Sequence, residues 1–140
     1  DVVQASGWLW QGIYTWDKTE AARPKKGFFR SQCEYVVWGS KGTLKSEGPC
    51  LPGFTRKAVV AKEKFHLTGK PLQVMRDIVK IAHRDDAIIL DPFAGSGTTG
   101  VAAFQENKNF IGVELSRDYC QIAQQRIEHV KQQHALLPTV

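Results

Sequence analysis

The chain has 140 residues, 42% of them hydrophobic and 24% charged, with a formal net charge of +5. That is enough chain to bury one core, and the balance is that of a globular domain, which excludes fibrous and disordered classes. No apolar run approaches the ~20 residues that a membrane-spanning helix needs.

The charge is unevenly spread. Residues 1–70 hold 12 Lys/Arg against 6 Asp/Glu, and residues 71–140 hold 7 against 8. The first half therefore suits a polyanion, nucleic acid foremost, with a solvated basic surface as the plainer alternative. Cys33, Cys50 and Cys120 are scattered, which argues against a disulfide framework or a zinc site and for a reducing, cytoplasmic setting. The chain opens on Asp1 without a signal-peptide pattern, so the expectation is an N-terminally trimmed protein.

In chain order, residues 1–6 are too short to assign, with the tail of a helix begun upstream as one reading. Residues 8–16 are rich in aromatic and β-branched types and predict a strand. A polar connection over residues 17–31 carries Arg23, Lys25, Lys26 and Arg30 around Phe28 and Phe29. Cations interleaved with aromatics suit a phosphate backbone and an unstacked base, and Lys41, Lys45, Arg56 and Lys57 would extend that surface. Residues 33–39 predict a second strand, residues 40–54 a loop and residues 56–61 a short third strand. Three strands without intervening helices imply an antiparallel or mixed sheet edge. Trp8, Trp10, Trp16 and Trp38 are expected in a core or pocket wall.

The period then changes. Pro71 stands where a first-turn proline would, and Leu72, Met75, Ile78, Val79 and Ala82 recur at helical spacing, predicting a helix over residues 71–82. Residues 87–90 read as a strand of the buried parallel type, followed by a helix over residues 98–106 and a strand over residues 109–113. Ser116 is a plausible N-cap for a last helix reaching about His134, with Tyr119, Ile122, Ala123, Ile127 and Val130 as its apolar stripe. The second half is thus βαβα, which implies parallel pairing with a right-handed crossover.

The chain is organised around Asp91-Pro92-Phe93-Ala94-Gly95-Ser96-Gly97-Thr98-Thr99-Gly100, between the first strand of that half and its helix. Gly95 and Gly97 allow a tight turn and close backbone approach, and the free N–H groups of the helix starting at Thr98 point back into the turn. Glu114 ends the next apolar run, at the distance where nucleotide-type sites place a ribose-binding acid. A lone G-x-G-x-x-G is weak, but with this context it predicts a cofactor pocket. No Lys-Ser/Thr pair follows the glycines, so a Walker-type phosphate loop is excluded.

Residues 91–99 resemble the S-adenosylmethionine-binding motif of amino-methylating DNA methyltransferases. His66-Leu67-Thr68-Gly69-Lys70-Pro71 resembles their His-Pro-Thr-x-Lys-Pro motif, with Leu67 in place of the usual proline. Phe110-Ile111-Gly112-Val113-Glu114-Leu115, with Tyr119 and Arg126, resembles the segment that follows. Trp16-Asp17-Lys18, Phe29-Arg30 and Glu34-Tyr35-Val36-Val37-Trp38-Gly39 resemble the strand pair that precedes it. This order, with the cofactor region last, is similar to the permuted β group of these enzymes.

The resemblance implies an α/β, Rossmann-like methyltransferase fold with S-adenosylmethionine as cofactor and no metal. His66, Thr68 and Lys70 would reach the methionine end, Lys70 toward its carboxylate. Asp91 would meet the ammonium. Pro92, Phe93, Gly95, Gly97, Thr98 and Thr99 would form the loop against the methionine portion, and Glu114 would take the ribose diol.

The family's catalytic motif, Asp-Pro-Pro-Tyr or Ser-Pro-Pro-Tyr, does not occur in the sequence, so no catalytic residue is assigned. The expectation is a single domain fragment, incomplete at its N-terminus. Residues 1–65 would form a strand-rich, DNA-facing part, and residues 66–140 the cofactor-binding part. The whole enzyme would methylate an exocyclic amino group, adenine N6 before cytosine N4, on double-stranded DNA with a flipped target base. The oligomeric state stays open. The rival readings are a nicotinamide-dependent oxidoreductase, which leaves residues 66–71 and 91–93 unexplained, and an inactive DNA- or cofactor-binding remnant.

Overall fold

The computed structural model describes residues 2–44, 48–59 and 70–135. The chain divides into two units, Asp1–Val59 and Val60–Val140. In the first, a short helix α1 (Val2–Ala5) leads into β1 (Leu9–Asp17), β2 (Cys33–Ser40) and β3 (Phe54–Arg56). The sheet order is β2-β1-β3. β1 pairs antiparallel with β2, from Leu9 against Ser40 to Asp17 against Cys33, with an irregularity at Trp10–Gly12. Its last three residues, Thr15 to Asp17, pair in parallel with β3. The edge is therefore mixed, as expected. The third strand is shorter and earlier than the expected residues 56–61, part of which lies outside the described residues.

Burial follows the pairing. Tyr14, Trp16 and Ala22 are buried, and the Trp16 indole N–H donates to Lys57 O at 2.8 Å. Only Trp16 of the four tryptophans reaches the core. Trp38 is half-buried, and Trp8 and Trp10 are exposed, contrary to the expectation for them. Trp8 precedes β1 and Trp10 lies in its first half, where β2 is the strand partner, whereas Trp16 lies where β3 adds a third strand.

The second unit contains α2 (Leu72–Val79), β4 (Ile88–Asp91), α3 (Thr98–Gln105), β5 (Asn109–Gly112) and α4 (Arg117–Ala135). β4 and β5 are parallel, as the βαβα pattern requires, with Ile89 against Phe110 and Asp91 against Gly112. Pro71 is the N-cap of α2, one residue before the helix, and its carbonyl accepts from Met75 N. The core joins Val79, Ala102 and Ala103 to Leu72, Met75, Ile89 and Phe110. Arg76 Nε ties α2 to Glu106 Oε1 at 2.6 Å. α3 ends in a left-handed turn at Asn107, φ +54°, with Lys108 N returning to Ala103 O at 2.8 Å.

One expectation needs correction. Residues 87–90 read as a strand buried on both faces, yet Ile88 and Leu90 are 61% and 62% exposed. Side chains alternate along a strand, so only Ile89 turns toward the core formed with α2 and α3, leaving Ile88 and Leu90 on the opposite face.

Candidate cofactor pocket

The pocket grows from the end of β4. Asp91 Oδ1 accepts from Phe93 N at 3.0 Å, and Oδ2 accepts from the Thr99 hydroxyl at 2.6 Å. One carboxylate thus fixes both the start of the glycine turn and the first turn of α3. Gly97 is the N-cap of that helix at φ +78°. A Cβ on Gly97 would lie 2.7 Å from Ala123 Cβ, so this glycine serves both the backbone turn and the close approach of α4.

The turn is also tied to the next strand. Val113 N donates to Asp91 O and Ala94 N to Val113 O, both at 2.9 Å. Glu114 follows immediately. Its Oε2 accepts from Gly95 N and its Oε1 from Ser116 N, each at 2.8 Å. Two backbone N–H groups therefore orient the carboxylate. Ser116 Oγ also accepts from Tyr119 N at 3.4 Å, in the N-cap position expected for it.

These segments enclose a cavity of about 400 Å³, within the range of small-molecule sites. Its wall contains Asp91, Phe93, Ala94, Gly95, Ser96, Thr98 and Thr99 from the turn, Glu114 and Tyr119 from the segment after β5, and Lys70 and Met75 from the start of α2. Lys70, Asp91, Phe93, Gly95, Thr98, Thr99 and Glu114 of the residues expected from the sequence meet there. Pro92 is exposed in the turn, and Gly97 faces α4; neither is in the wall. His66 and Thr68 lie outside the described residues.

Arg126, which in the sequence has only a place in the motif, gains a role in the structure. Its Nη1 donates to Ser96 O, to Ser96 Oγ at 3.0 Å and to Thr98 Oγ1 at 3.2 Å. Burial lowers the guanidinium pKa below the ordinary arginine value. The buried Ser96 is thereby fastened to α4. The signal available in the sequence was spacing: Tyr119, Ala123, Arg126 and Ile127 lie on one helical face, and the first three touch the pocket wall or its turn.

In the other unit, Arg23, Lys25, Lys26 and Arg30 occupy the loop between β1 and β2, all exposed. Arg30 Nη1 donates to Ala22 O at 3.2 Å. Arg56, expected to extend this surface, is instead committed to Glu20 at 2.8 Å and Asp17 at 3.5 Å, because β3 brings it beside the end of β1. Lys41 is exposed, Lys57 is half-buried, and Lys45 lies outside the described residues. Among the described residues no cluster of His, Cys, Asp and Glu could hold a metal ion, and no helix is long and apolar enough to cross a membrane.

Residues 51–125, from before β3 into α4, match the profile of the N6/N4 family described as DNA methylase. The chain belongs to that family. Among its relatives, the type II methyltransferase M2.MboI of Moraxella bovis is 37% identical over 138 residues, covering 84% of this chain and 50% of the relative. M2.LlaDCHI of Lactococcus lactis is 31% identical over 132 residues, covering 81% and 49%. The chain spans about half the length of the curated relatives it matches. Among solved structures, the M1.HpyAVI–SAM complex superposes with a TM-score of 0.72 at 28% identity, covering 89% of this chain and 65% of that one. The cytosine-N4-specific PvuII DNA methyltransferase superposes equally well, TM-score 0.72, at 18% identity, over 94% and 58%. The fold is therefore the mixed α/β, Rossmann-like methyltransferase fold.

Proposed function

We propose that this chain holds S-adenosylmethionine in the pocket at the end of β4, as part of an enzyme that methylates an exocyclic amino group of DNA. The observation that carries the reading is the Glu114 carboxylate, held by Gly95 N and Ser116 N in the wall of the cavity. That is the chemistry a ribose diol requires.

The rest of the wall fits the rest of the ligand. Lys70 suits a carboxylate, Asp91 an ammonium, and Phe93 and Tyr119 supply the apolar face that a purine needs. The solved M1.HpyAVI relative is a complex with the same compound.

When bound, S-adenosylmethionine supplies an electrophilic methyl group on its sulfonium. The residues described here bind and orient: Glu114 fixes the ribose, Asp91 and Thr99 hold the turn, and Arg126 keeps that turn against α4. We take residues 66–140, with His66 and Thr68, as the cofactor-binding part. Residues 1–65 would face double-stranded DNA with a flipped base, through Arg23, Lys25, Lys26 and Arg30. The target is taken as adenine N6, in a cytoplasmic enzyme.

Calorimetry with S-adenosylmethionine, S-adenosylhomocysteine and NAD tests the pocket. The two sulfur compounds should bind and NAD should not; binding of NAD alone would overturn the reading. Since the sequence contains neither Asp-Pro-Pro-Tyr nor Ser-Pro-Pro-Tyr, this chain by itself should transfer no tritiated methyl group to DNA. Nucleoside analysis of DNA methylated by a longer form that carries that motif separates N6-methyladenine from N4-methylcytosine.

A further inference from the structure

The loop between β1 and β2 holds two aromatic rings, Phe28 and Phe29, that are not in the wall of the cavity. Phe28 is 81% exposed and Phe29 99%. Adjacent, nearly fully exposed phenylalanines are apolar surface left in water, which marks an interaction site.

The loop that carries them is tied together. At its base, Lys18 N donates to Gln32 O at 2.9 Å and Gln32 Nε2 to Asp17 Oδ1 at 2.8 Å. Lys18 Nζ also meets Glu34 at 3.3 Å. Higher up, Arg30 reaches across to the carbonyl of the buried Ala22. Phe28 N closes a turn onto Lys25 O at 3.2 Å, and the third residue of that turn, Gly27, takes φ +77°. The rings are thus held outward by a hydrogen-bonded framework. The cations Arg23, Lys25, Lys26 and Arg30 lie within six residues of them.

The surface combines positive charge with two flat apolar groups. Duplex DNA offers the complement of both, with phosphates outside and base faces inside the stack. An anionic lipid surface would satisfy the same groups, but membership of a DNA methylase family favours DNA.

We propose that Phe28 and Phe29 form a wedge that enters the base stack of duplex DNA gripped by the cations of this loop. The proposal rests on the reading that the loop binds DNA. Neutralised phosphates supply the affinity, and ring–base contact offsets the unstacking of one base step.

The test uses the 140-residue chain and duplexes carrying 2-aminopurine, intact or with an abasic site. On binding, the fluorescence of 2-aminopurine should rise as its stack opens. The abasic duplex, already open, should bind about tenfold more tightly than the intact one. Phe28→Ala/Phe29→Ala should keep the salt dependence of binding and lose both effects. Because both rings are exposed, this variant should melt as the parent does. Lys25→Ala/Lys26→Ala should weaken both duplexes alike and reduce the salt slope by about 2.

DNA binding by the parent without a fluorescence rise, or a rise that survives removal of both rings, overturns the wedge and leaves the DNA reading of the loop standing. No DNA binding by the parent, or an unchanged salt slope in the lysine variant, removes that reading and the wedge with it. Binding to phosphatidylserine vesicles but not to duplex, or a dimer abolished by removing the rings, would assign the rings to a lipid surface or a second copy and overturn the proposal.

Discussion

Two loops in this chain use the same residue types for opposite ends. The turn over residues 91–97 holds Gly95 and Gly97 at positive φ, and the loop over residues 18–32 holds Gly27; each follows an aspartate, Asp91 or Asp17, that accepts the backbone N–H two residues on. In the first, the backbone is pressed into its neighbours: Gly97 leaves no room for a Cβ beside Ala123, Gly95 N is held by Glu114, and Ser96 by Arg126. In the second, Gly27 has nothing within 4 Å of its missing Cβ, and side chains stand outward from a closed base. The first builds a cavity from main-chain atoms held by long-range contacts. The second presents cations and rings to whatever approaches. Positive φ alone does not distinguish Gly97 from Gly27; the space around it does.

The paired substitutions Gly97→Ala and Gly27→Ala give the widest contrast. Both strain a left-handed backbone, by about 1–2 kcal/mol. Gly97→Ala also forces overpacking against α4, so its total cost should be about 2–4 kcal/mol. Thermal melts should show a clear fall for Gly97→Ala and a small one for Gly27→Ala. Equal shifts would mean that packing at Ala123 does not matter.

Glu114→Ala should come next in size. It removes two charge-assisted acceptors facing the proposed ribose and releases Gly95 N, so affinity for S-adenosylmethionine should fall about 100-fold by calorimetry. An unchanged affinity would count against the ribose role.

Arg126→Ala leaves the Ser96 and Thr98 oxygens without their donor and should weaken cofactor binding about tenfold, at a stability cost of about 1–3 kcal/mol. Arg126→Lys keeps the charge without the planar fork and should recover only part of this. Full recovery by lysine would show that charge alone holds the turn.

Asp17 gives the smallest effect, and in the other unit. The Gln32 amide, the Thr19 N–H and Arg56 hold its pKa below the ordinary carboxylate value. A depressed carboxylate contributes stability that is present above the unfolded value of about 4 and is lost as pH falls through the folded value. Asp17→Asn should therefore flatten the acid side of the melting profile below about pH 4 while leaving cofactor binding alone.

Much of the cofactor unit was legible in residue order. The shift from period two to helical spacing after Pro71, the acid and proline before the glycines, and Glu114 one strand later are local features, and the elements formed where they point. Less of the first unit was legible. A run rich in tryptophan implies burial, but only Trp16 lies where the sheet has three strands. Arg56 looks like a free cation in sequence, and it pairs with Glu20, 36 positions away.

By itself, the sequence determined the element order, the glycine turn between strand and helix, the acid at the next strand end and the basic loop. Each is set by backbone preferences and by neighbours a few residues apart. Only the tertiary structure decided that Arg126 grips Ser96 across 30 residues, that Gly97 meets Ala123, and that Phe28 and Phe29 remain in solvent. Those outcomes depend on how helices and strands stack, and stacking brings together side chains whose separation along the chain carries no trace of their contact.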